Sequence, residues 1–455
     1  MSCRRSLAAL GCAVIGLATA GSVESADLLS VYERARQEDP QFAQARAEYR
    51  AAREQWPQAR AAVLPQVNVT ASTSEVESRD NIDNSTVGFD EDTYGLELRQ
   101  PLFDWEAFAG LDRADAAVAQ AEAEFAGAQQ DLITRVAEAY FDVLAARDGV
   151  RFARAEKRAV ERQLDQARQR FEVGLIPITD VKEAQASFDL AVSRELEAQN
   201  QLDRAREALR TITGRVSGEL EGADDSVPLA SPDPADPERW VGRAIGQNPD
   251  YLAARSATEV ARHAMRQSRD GYYPEIDLVV SRNNTQSSFT QGVQPIPFDQ
   301  TNDRIGVELS WNLFAGGATE SRGDQTRAEF QGAQAALTES RRRVQQQTRD
   351  AYRAVETAIA QVRALRQAVE SNQARVEATR SGFRVGTRTS VDVLNAVRDL
   401  YRAQRDLADA RYNYIISRLQ LKRAAGNLTL EDVRRIDGWL SASDSTIDSN
   451  GNSAN

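Results

Sequence analysis

The sequence predicts a mainly α-helical protein that also carries membrane β-structure and contains an internal tandem duplication. Gly and Pro are scarce for a chain of 455 residues, whereas Ala, Arg, Gln and Glu dominate whole stretches, as in long coiled helices. Four short segments instead alternate apolar and polar residues, which is typical of strands with one apolar face. The turn sequence around Gly174 recurs around Gly386. These observations predict two copies of one unit, in which a β-hairpin interrupts long helices.

The N-terminus is predicted to be a secretory signal peptide over residues 1–26. Two arginines precede an apolar run that is too short for a membrane-spanning helix, and the small-residue motif Ala18-Thr19-Ala20 follows it. Cleavage is expected after Ala20 or after Ala26.

Cysteine usage and charge exclude several classes of partner and cofactor. Cys3 and Cys12 are the only cysteines, and both lie in the predicted signal peptide. The mature chain is therefore expected to have no disulfide and no sulfur-ligated metal. The net charge of -12 argues against nucleic acid as a partner.

The first repeat is assigned to residues 27–213. We expect helices over Leu28–Glu38 and from Pro40 to about Leu64, followed by a β-hairpin over 65–101. Each strand is expected to have about ten residues, with an acidic loop between them from about Glu75 to Asp92. A long helix and a shorter return helix complete the repeat.

The long helix of this repeat is predicted from Glu106 to Val173, a stretch without proline whose apolar residues follow a heptad pattern. At 1.5 Å per residue it would be on the order of 100 Å long, which is far more than a globular domain needs. After the turn at Gly174, the chain is expected to return as a second helix to about Ile212.

The second half repeats this order. Residues 214–238 contain four prolines and are predicted to be a linker. The second repeat is assigned to 239–428, with a β-hairpin over 274–314 and long helices on either side of Gly386. The Ser-, Asn- and Asp-rich C-terminal segment 429–455 is predicted to be largely disordered.

The alternation in the strands matches that of membrane-spanning strands with a polar lumen. Apolar residues that we expect to face lipid are Val67, Leu96, Leu278 and Val307. Acidic residues of the opposite face are Glu97, Asp277 and Glu308. Because about eight strands are needed to close a barrel and open edges are forbidden in lipid, several chains must share one. Three chains of four strands would give about twelve strands. The alternative is a pair of half-buried hairpins that cap a soluble coiled bundle.

Specific motifs resemble those of the TolC family of outer-membrane exit ducts. They are the order of elements, the Val-Gly turns, QPLFDW at 100–105, WNLFAGG at 311–317, ARYNY at 410–414 and LKRAAG at 421–426. The resemblance implies a homotrimer with a long coiled-coil α-helical barrel in the periplasm and a twelve-stranded transmembrane β-barrel in the outer membrane. It also implies a duct for multidrug efflux, type I protein secretion or both, which works with a periplasmic adaptor protein and an inner-membrane RND, ABC or MFS pump.

The same resemblance assigns the functional residues, which would close the duct at the helical turns. Asp392 matches the first acidic residue of the family's constriction, and the second matching position is Asn395. Arg388 matches an arginine that links to a Thr-Asp pair, here Thr179 and Asp180. The remaining matches are the aromatic position Phe383, which has no hydroxyl, and the docking turns with Val173, Gly174, Val385 and Gly386. The alternative is that Arg388 and Asp180 are ordinary turn charges.

The sequence gives no support for catalysis. His263 is the only histidine and lies in a polar stretch, so we expect a surface side chain. No phosphate-binding loop, metal-ligand spacing or nucleophile constellation occurs, and no cofactor is expected. A soluble periplasmic coiled-coil adaptor or scaffold remains the alternative to a duct.

Overall fold

A computed structural model describes residues 26–79, 86–215, 220–222, 228–291 and 294–440. The predicted signal peptide, apart from Ala26, and the segment 441–455 lie outside these residues. Within them, the chain is mainly helical with one antiparallel sheet, which confirms the predicted fold class.

The order of short helices, two strands and two long helices occurs twice, with three short helices in the first half and two in the second, so the tandem duplication remains a prediction that this order supports. The helices are α1 (Leu28–Glu38), α2 (Pro40–Arg53), α3 (Gln55–Ala61), α4 (Trp105–Glu172), α5 (Ile178–Thr213), α6 (Pro237–Gln247), α7 (Pro249–Asp270), α8 (Ala318–Arg384), α9 (Ser390–Ala424) and α10 (Leu430–Leu440). The strands are β1 (Gln66–Arg79), β2 (Thr86–Phe103), β3 (Glu275–Gln291) and β4 (Gln294–Ser310).

The two longest helices, α4 and α8, have 68 and 67 residues and are each about 100 Å long. Helix α4 packs along α5, and α8 packs along α9, so each half of the chain forms a helical hairpin. The hairpins meet where α4 contacts α9, and Leu132, Val136 and Tyr140 of α4 are fully buried there. Within the described part of the chain, no helix is both long enough and apolar enough to cross a membrane.

The sheet has the strand order β1-β2-β3-β4, and its register places the alternating residues on two distinct faces. Val67 pairs with Leu98, which pairs with Val280, which in turn pairs with Ile305. The next row, on the other face, is Asn68, Glu97, Ser281 and Arg304. One face is therefore apolar across all four strands, as the sequence predicts.

The strands have between 14 and 18 residues, so the predicted length of about ten is wrong. The acidic stretch expected to be a loop is mostly strand, since Ser74 pairs with Glu91 and Glu75 pairs with Asp90. Backbone pairing continues beyond the apolar rows because it needs only N–H and C=O groups. Apolar alternation marks only the portion of each strand that has one apolar face.

The C-terminal helix α10 corrects the prediction of disorder for residues 430–440, whereas the rest of that predicted segment, 441–455, lies outside the described residues. Its apolar residues Val433, Ile436 and Leu440 recur at helical spacing and are buried. The Asp437 carboxylate accepts a hydrogen bond of 3.0 Å from the Leu28 backbone N–H, which fixes α10 to the start of α1. This tertiary packing stabilises a helix that composition alone does not indicate.

Gly426 follows the Ala425 cap at the end of α9 and has a left-handed backbone with φ of 75°. A Cβ atom at this position would lie 2.4 Å from the backbone carbonyl carbon of Gln247. The end of α9 therefore contacts the junction of α6 and α7 directly, and no residue other than glycine fits there without displacement.

Candidate functional site

The helical hairpins end in two turns, which we name the first tip turn (173–177) and the second tip turn (385–389). Gly174 and Gly386 have φ of 73° and 80°, the left-handed conformation that ends a helix. The Leu175 N–H donates to the Arg170 carbonyl at 2.9 Å, and the Thr387 N–H donates to the Gly382 carbonyl at the same distance. Both glycines therefore end long helices, as the sequence predicts.

Both tip turns expose apolar side chains. The exposed fractions are 70% for Val173, 72% for Leu175 and 75% for Val385. Both turns thus present large apolar side chains to solvent, and docking at these turns remains a prediction.

Asp392 begins α9 and forms a capping box with Thr389. Its carboxylate accepts a hydrogen bond of 3.0 Å from the Thr389 N–H, and the Thr389 hydroxyl accepts one of 3.2 Å from the Asp392 N–H. Hydrogen bonding of this carboxylate with the backbone and then the side chain of Thr389, and secondarily the charge of Arg388, lower the pKa of Asp392. Asp392 is therefore charged at neutral pH, and the exposed Asn395 lies one turn further along α9.

The predicted latch residues are not brought together within one chain. Thr179 donates a hydrogen bond of 3.5 Å to the neighbouring Asp180. In the described part of the chain, Arg388 and Asp180 do not form an ion pair; the Arg388 stem instead packs over Gly382, where an added Cβ would lie 2.7 Å from Cγ. The latch remains a prediction that requires a second copy of the chain.

Near the tips, three contacts connect the two helical hairpins, and sequence reasoning missed them. Gln163 donates a hydrogen bond of 3.3 Å from Nε2 to Oγ of Ser390. Leu394 of α9 packs against Leu164 and other apolar residues of α4 and α5. The Arg170 guanidinium lies over the Phe383 ring, 4.3 Å from the ring centroid. The only sequence signal for any of these contacts was Phe383, which has no hydroxyl at the aromatic position that the family resemblance assigns.

A groove of about 870 Å³ lies between α4, α5 and α9, further from the tips. Burial raises the pKa of Glu156 in this groove, although its ion pair with Arg194 opposes the shift. Burial also raises the pKa of Asp409 to about 6. The groove therefore holds carboxylates that are less acidic than those on the surface.

The polar face of the sheet carries an ion cluster around Arg99. Its guanidinium lies 2.7 Å from Asp277, 3.5 Å from Glu308 and 3.7 Å from Glu97. These residues belong to three strands, and all of them lie on the face opposite Val67 and Leu98. This face is suited to water and charge, and the other is suited to lipid.

Among the described residues, no group of His, Cys, Asp and Glu side chains could hold a metal ion. His263 Nδ1 lies 3.9 Å from an Asp112 carboxylate oxygen, on a helix flank far along the chain from the tip turns.

The sheet, with its one apolar face, lies at one end of very long helical hairpins, and the two tip turns lie at the other end. This arrangement defines a membrane duct with a helical extension. Residues 31–215 and 240–427 match the family described as outer membrane efflux protein, and the chain belongs to this family.

Individual relatives match over most of their lengths. The chain is 38% identical over 427 residues to the outer membrane protein TolC of Vibrio cholerae serotype O1, covering 93% of this chain and 97% of the relative. It is 32% identical over 424 residues to the alkaline protease secretion protein AprF of Pseudomonas aeruginosa, covering 90% and 86%.

Solved structures support the fold. The similarity to CusC has a TM-score of 0.75 at 17% identity and covers 89% of this chain and 92% of CusC. The similarity to VceC from Vibrio cholerae has a TM-score of 0.74 at 22% identity and covers 88% and 96%. The chain is thus an outer-membrane channel protein with a long periplasmic helical region, not an enzyme, and the alternative of a soluble adaptor is not supported.

Proposed function

We propose that three copies of this chain form one exit duct through the outer membrane, with a twelve-stranded barrel and a coiled-coil α-helical barrel below it. The observation that carries this proposal is the four-stranded sheet, which is apolar on one face. Among the described residues, its outer strands β1 and β4 each pair on one side only. Unpaired edges are not tolerated in lipid, and four strands are too few to close, so neighbouring copies supply the missing pairing.

The cargo is proposed from the relatives. TolC is named as an outer membrane protein, whereas AprF is named as an alkaline protease secretion protein. We infer that this duct serves tripartite multidrug efflux, type I protein secretion, or both. Its partners would be a periplasmic adaptor at the exposed apolar tip turns and an inner-membrane pump of the RND, ABC or MFS class.

The tip turns are proposed to form the periplasmic gate. In a trimer, Asp392 of each copy would contribute to a ring of three charges, and such rings bind and filter cations. Asn395 would leave a second ring uncharged. Arg388, whose charge acts on Asp392 but which forms no ion pair within the described part of its own chain, would meet Thr179 and Asp180 of a neighbouring copy and hold the tips closed.

Two measurements on the full-length protein test this proposal. A trimeric barrel should resist mild detergent, so its mobility on a gel should change only after heating. In planar bilayers, the double variant Arg388→Ser/Asp180→Ala should raise single-channel conductance and leave the trimer yield unchanged. The matched control is Arg384→Ser, because Arg384 lies next to the second tip turn and donates a hydrogen bond of 3.1 Å to Ser381 of its own helix. Monomeric mobility without heating would reject the shared barrel, and equal conductance in all variants would reject the latch.

A further inference from the structure

The two halves of the chain enter their β-hairpins through the same turn. In the first half, the Val63 N–H donates a hydrogen bond of 3.1 Å to the Arg60 carbonyl. In the second half, the Tyr272 N–H donates one of 3.2 Å to the Arg269 carbonyl. A proline lies five residues after each arginine, and the first strand of each hairpin begins directly after that proline. Arg60 and Arg269 thus occupy equivalent positions at the ends of α3 and α7.

Both arginine side chains are exposed and have no carboxylate partner. Among the residues that the structure describes, neither Arg60 nor Arg269 forms an ion pair. A guanidinium is always charged, is weakly hydrated and presents its N–H donors in a planar fork that matches the oxygens of a phosphate. Two guanidiniums in this condition, repeated at equivalent positions, are therefore available to an anionic phosphate group from outside the chain.

The two arginines lie just below the apolar face of the sheet. This face begins two residues after each proline, at Val67 in β1 and at Ile276 in β3, and Val67 is 61% exposed. Each arginine is the second-to-last residue of its helix, so it lies about one helical turn, or roughly 5 Å, before the strand. The headgroup zone on each side of the hydrocarbon core of a bilayer is about 5 to 8 Å thick. The guanidiniums are therefore placed at the level of the phospholipid headgroups.

Exposed aromatic side chains mark the same level. The Arg60 guanidinium carbon lies 5.2 Å from the centroid of the Trp56 ring, and Trp56 is 39% exposed. Tyr272 and Tyr273, which follow Arg269 closely, are 55% and 56% exposed. Trp and Tyr are enriched where the hydrocarbon core meets water, because their rings are apolar and carry one polar group. The surroundings of both arginines thus suit a lipid–water boundary.

We propose that Arg60 and Arg269 each bind the phosphate of an anionic phospholipid in the leaflet next to the helical region. The acyl chains of the bound lipid would lie along the apolar face that starts at Val67 and Ile276. This continuity between the two arginines and the apolar face favours a lipid over a free phosphate ion. The inference goes beyond the exit-duct function, and it rests on the proposed trimer only for the number of sites, which would be six per assembly.

Bound lipid would hold the barrel at a fixed height in the bilayer and stabilise the assembled trimer. One basic residue close to an anionic lipid surface strengthens binding about fivefold. A ligand that binds the assembled state and not the separated chains raises the stability of the assembly. Anionic phospholipid should therefore raise the temperature at which the trimer dissociates, and this rise should depend on the two arginines.

The test is native mass spectrometry of the full-length protein in detergent, with phosphatidylglycerol or phosphatidylcholine added. The unmodified trimer should retain up to six molecules of phosphatidylglycerol and fewer of phosphatidylcholine. The double variant Arg60→Gln/Arg269→Gln should bind phosphatidylglycerol about fivefold more weakly at each site and lose the preference between the two lipids. On gels, phosphatidylglycerol should raise the dissociation temperature of the unmodified trimer but not that of the double variant.

The matched control is Arg53→Gln/Arg262→Gln. These arginines lie seven residues earlier in each half, which places them about 10 Å further from the sheet and outside the headgroup zone. Each also lies over an aromatic ring, at 5.9 Å from Tyr49 and 5.8 Å from Phe330, and Arg262 in addition pairs with Glu259 at 2.9 Å. The control should retain as much phosphatidylglycerol as the unmodified protein.

The single variants Arg60→Gln and Arg269→Gln provide the test if the double variant fails to assemble, and each should lower the number of retained lipids from six to three. Equal retention by all variants would overturn the inference, as would an equal loss in the control. If inorganic phosphate raises the dissociation temperature as much as phosphatidylglycerol does, the arginines bind free phosphate and the lipid assignment is refuted. An unmodified protein that never forms a trimer would reject the proposed duct, whereas a trimer without lipid preference would reject only this inference.

Discussion

Substitution of Val67 by arginine tests the membrane orientation of the sheet most directly. Val67 lies in the row with Leu98, Val280 and Ile305, which is apolar across all four strands, and 61% of its surface is exposed in the single chain. An arginine that faces lipid at mid-membrane costs about 2 to 4 kcal/mol per chain. In a trimer, the cost would be about 6 to 12 kcal/mol per assembled barrel, which is comparable to the whole stability of a typical domain.

The adjacent substitution Asn68→Arg is the matched control. Asn68 points to the opposite face and lies directly across from Glu97, so the new arginine gains an opposite charge. Such cross-strand pairs contribute about 0.2 to 1 kcal/mol. We expect Val67→Arg to reduce the amount of trimer in outer-membrane fractions, measured on gels as the species whose mobility changes only after heating. Asn68→Arg should leave the trimer yield unchanged and alter only ion selectivity. Equal loss of trimer in both variants would refute the assignment of the two faces.

Three further predictions concern the gate, the groove and the C-terminus. Asp392→Asn keeps an acceptor for the Thr389 N–H but removes the charge. Block of the channel current by divalent cations should therefore weaken while the trimer yield stays unchanged. If the block is unchanged, Asp392 has only a capping role. The folded-state pKa of Asp409, about 6, exceeds its ordinary value of 3.8, so stability should fall as pH rises through this window. Asp409→Asn should remove this fall and, at pH 7.5, stabilise the protein by about 1 to 2 kcal/mol after solvent screening, measured by thermal unfolding against pH. A stop codon after Thr429 deletes α10 with its buried Val433, Ile436 and Leu440 and should destabilise the chain by at least about 4 kcal/mol, whereas a stop after Leu440 should not lower the unfolding midpoint.

Sequence patterns predicted the long helices closely, because several local signals agree. The helix expected from Glu106 to Val173 is found at Trp105–Glu172, between an Asp104 cap and a left-handed Gly174. Helix α10 was missed because it has only 11 residues and its stability depends on contacts with α1. The strands were predicted too short because apolar alternation reports contact with lipid and not backbone pairing.

The candidate site was less predictable than the fold. The capping role of Asp392 follows from a local motif, Thr389 followed three residues later by an acid, which the sequence displays. The contact of Arg170 with Phe383 depends on the packing of α4 against the α8–α9 hairpin, and no local pattern encodes it. Whether Arg388 reaches Asp180 depends on a neighbouring copy, so neither the sequence nor a single chain determines it.

The close approach of Gly426 to Gln247 holds the C-terminal end of α9 in place, so that a rotation of the helix about this contact would move its other end. The helix has 35 residues, so its first residue, Ser390, lies about 50 Å from this contact. A rotation of about 5° there would displace the second tip turn by roughly 4 Å, enough to separate side chains that are in contact. Gly426→Ala would displace this contact. We expect it to change the extent to which the proposed gate opens, although the substitution lies at the opposite end of α9 from the tip turn. The size of the opening would then depend on the contact of α9 with the junction of α6 and α7, while the tip turns determine only whether the proposed gate opens.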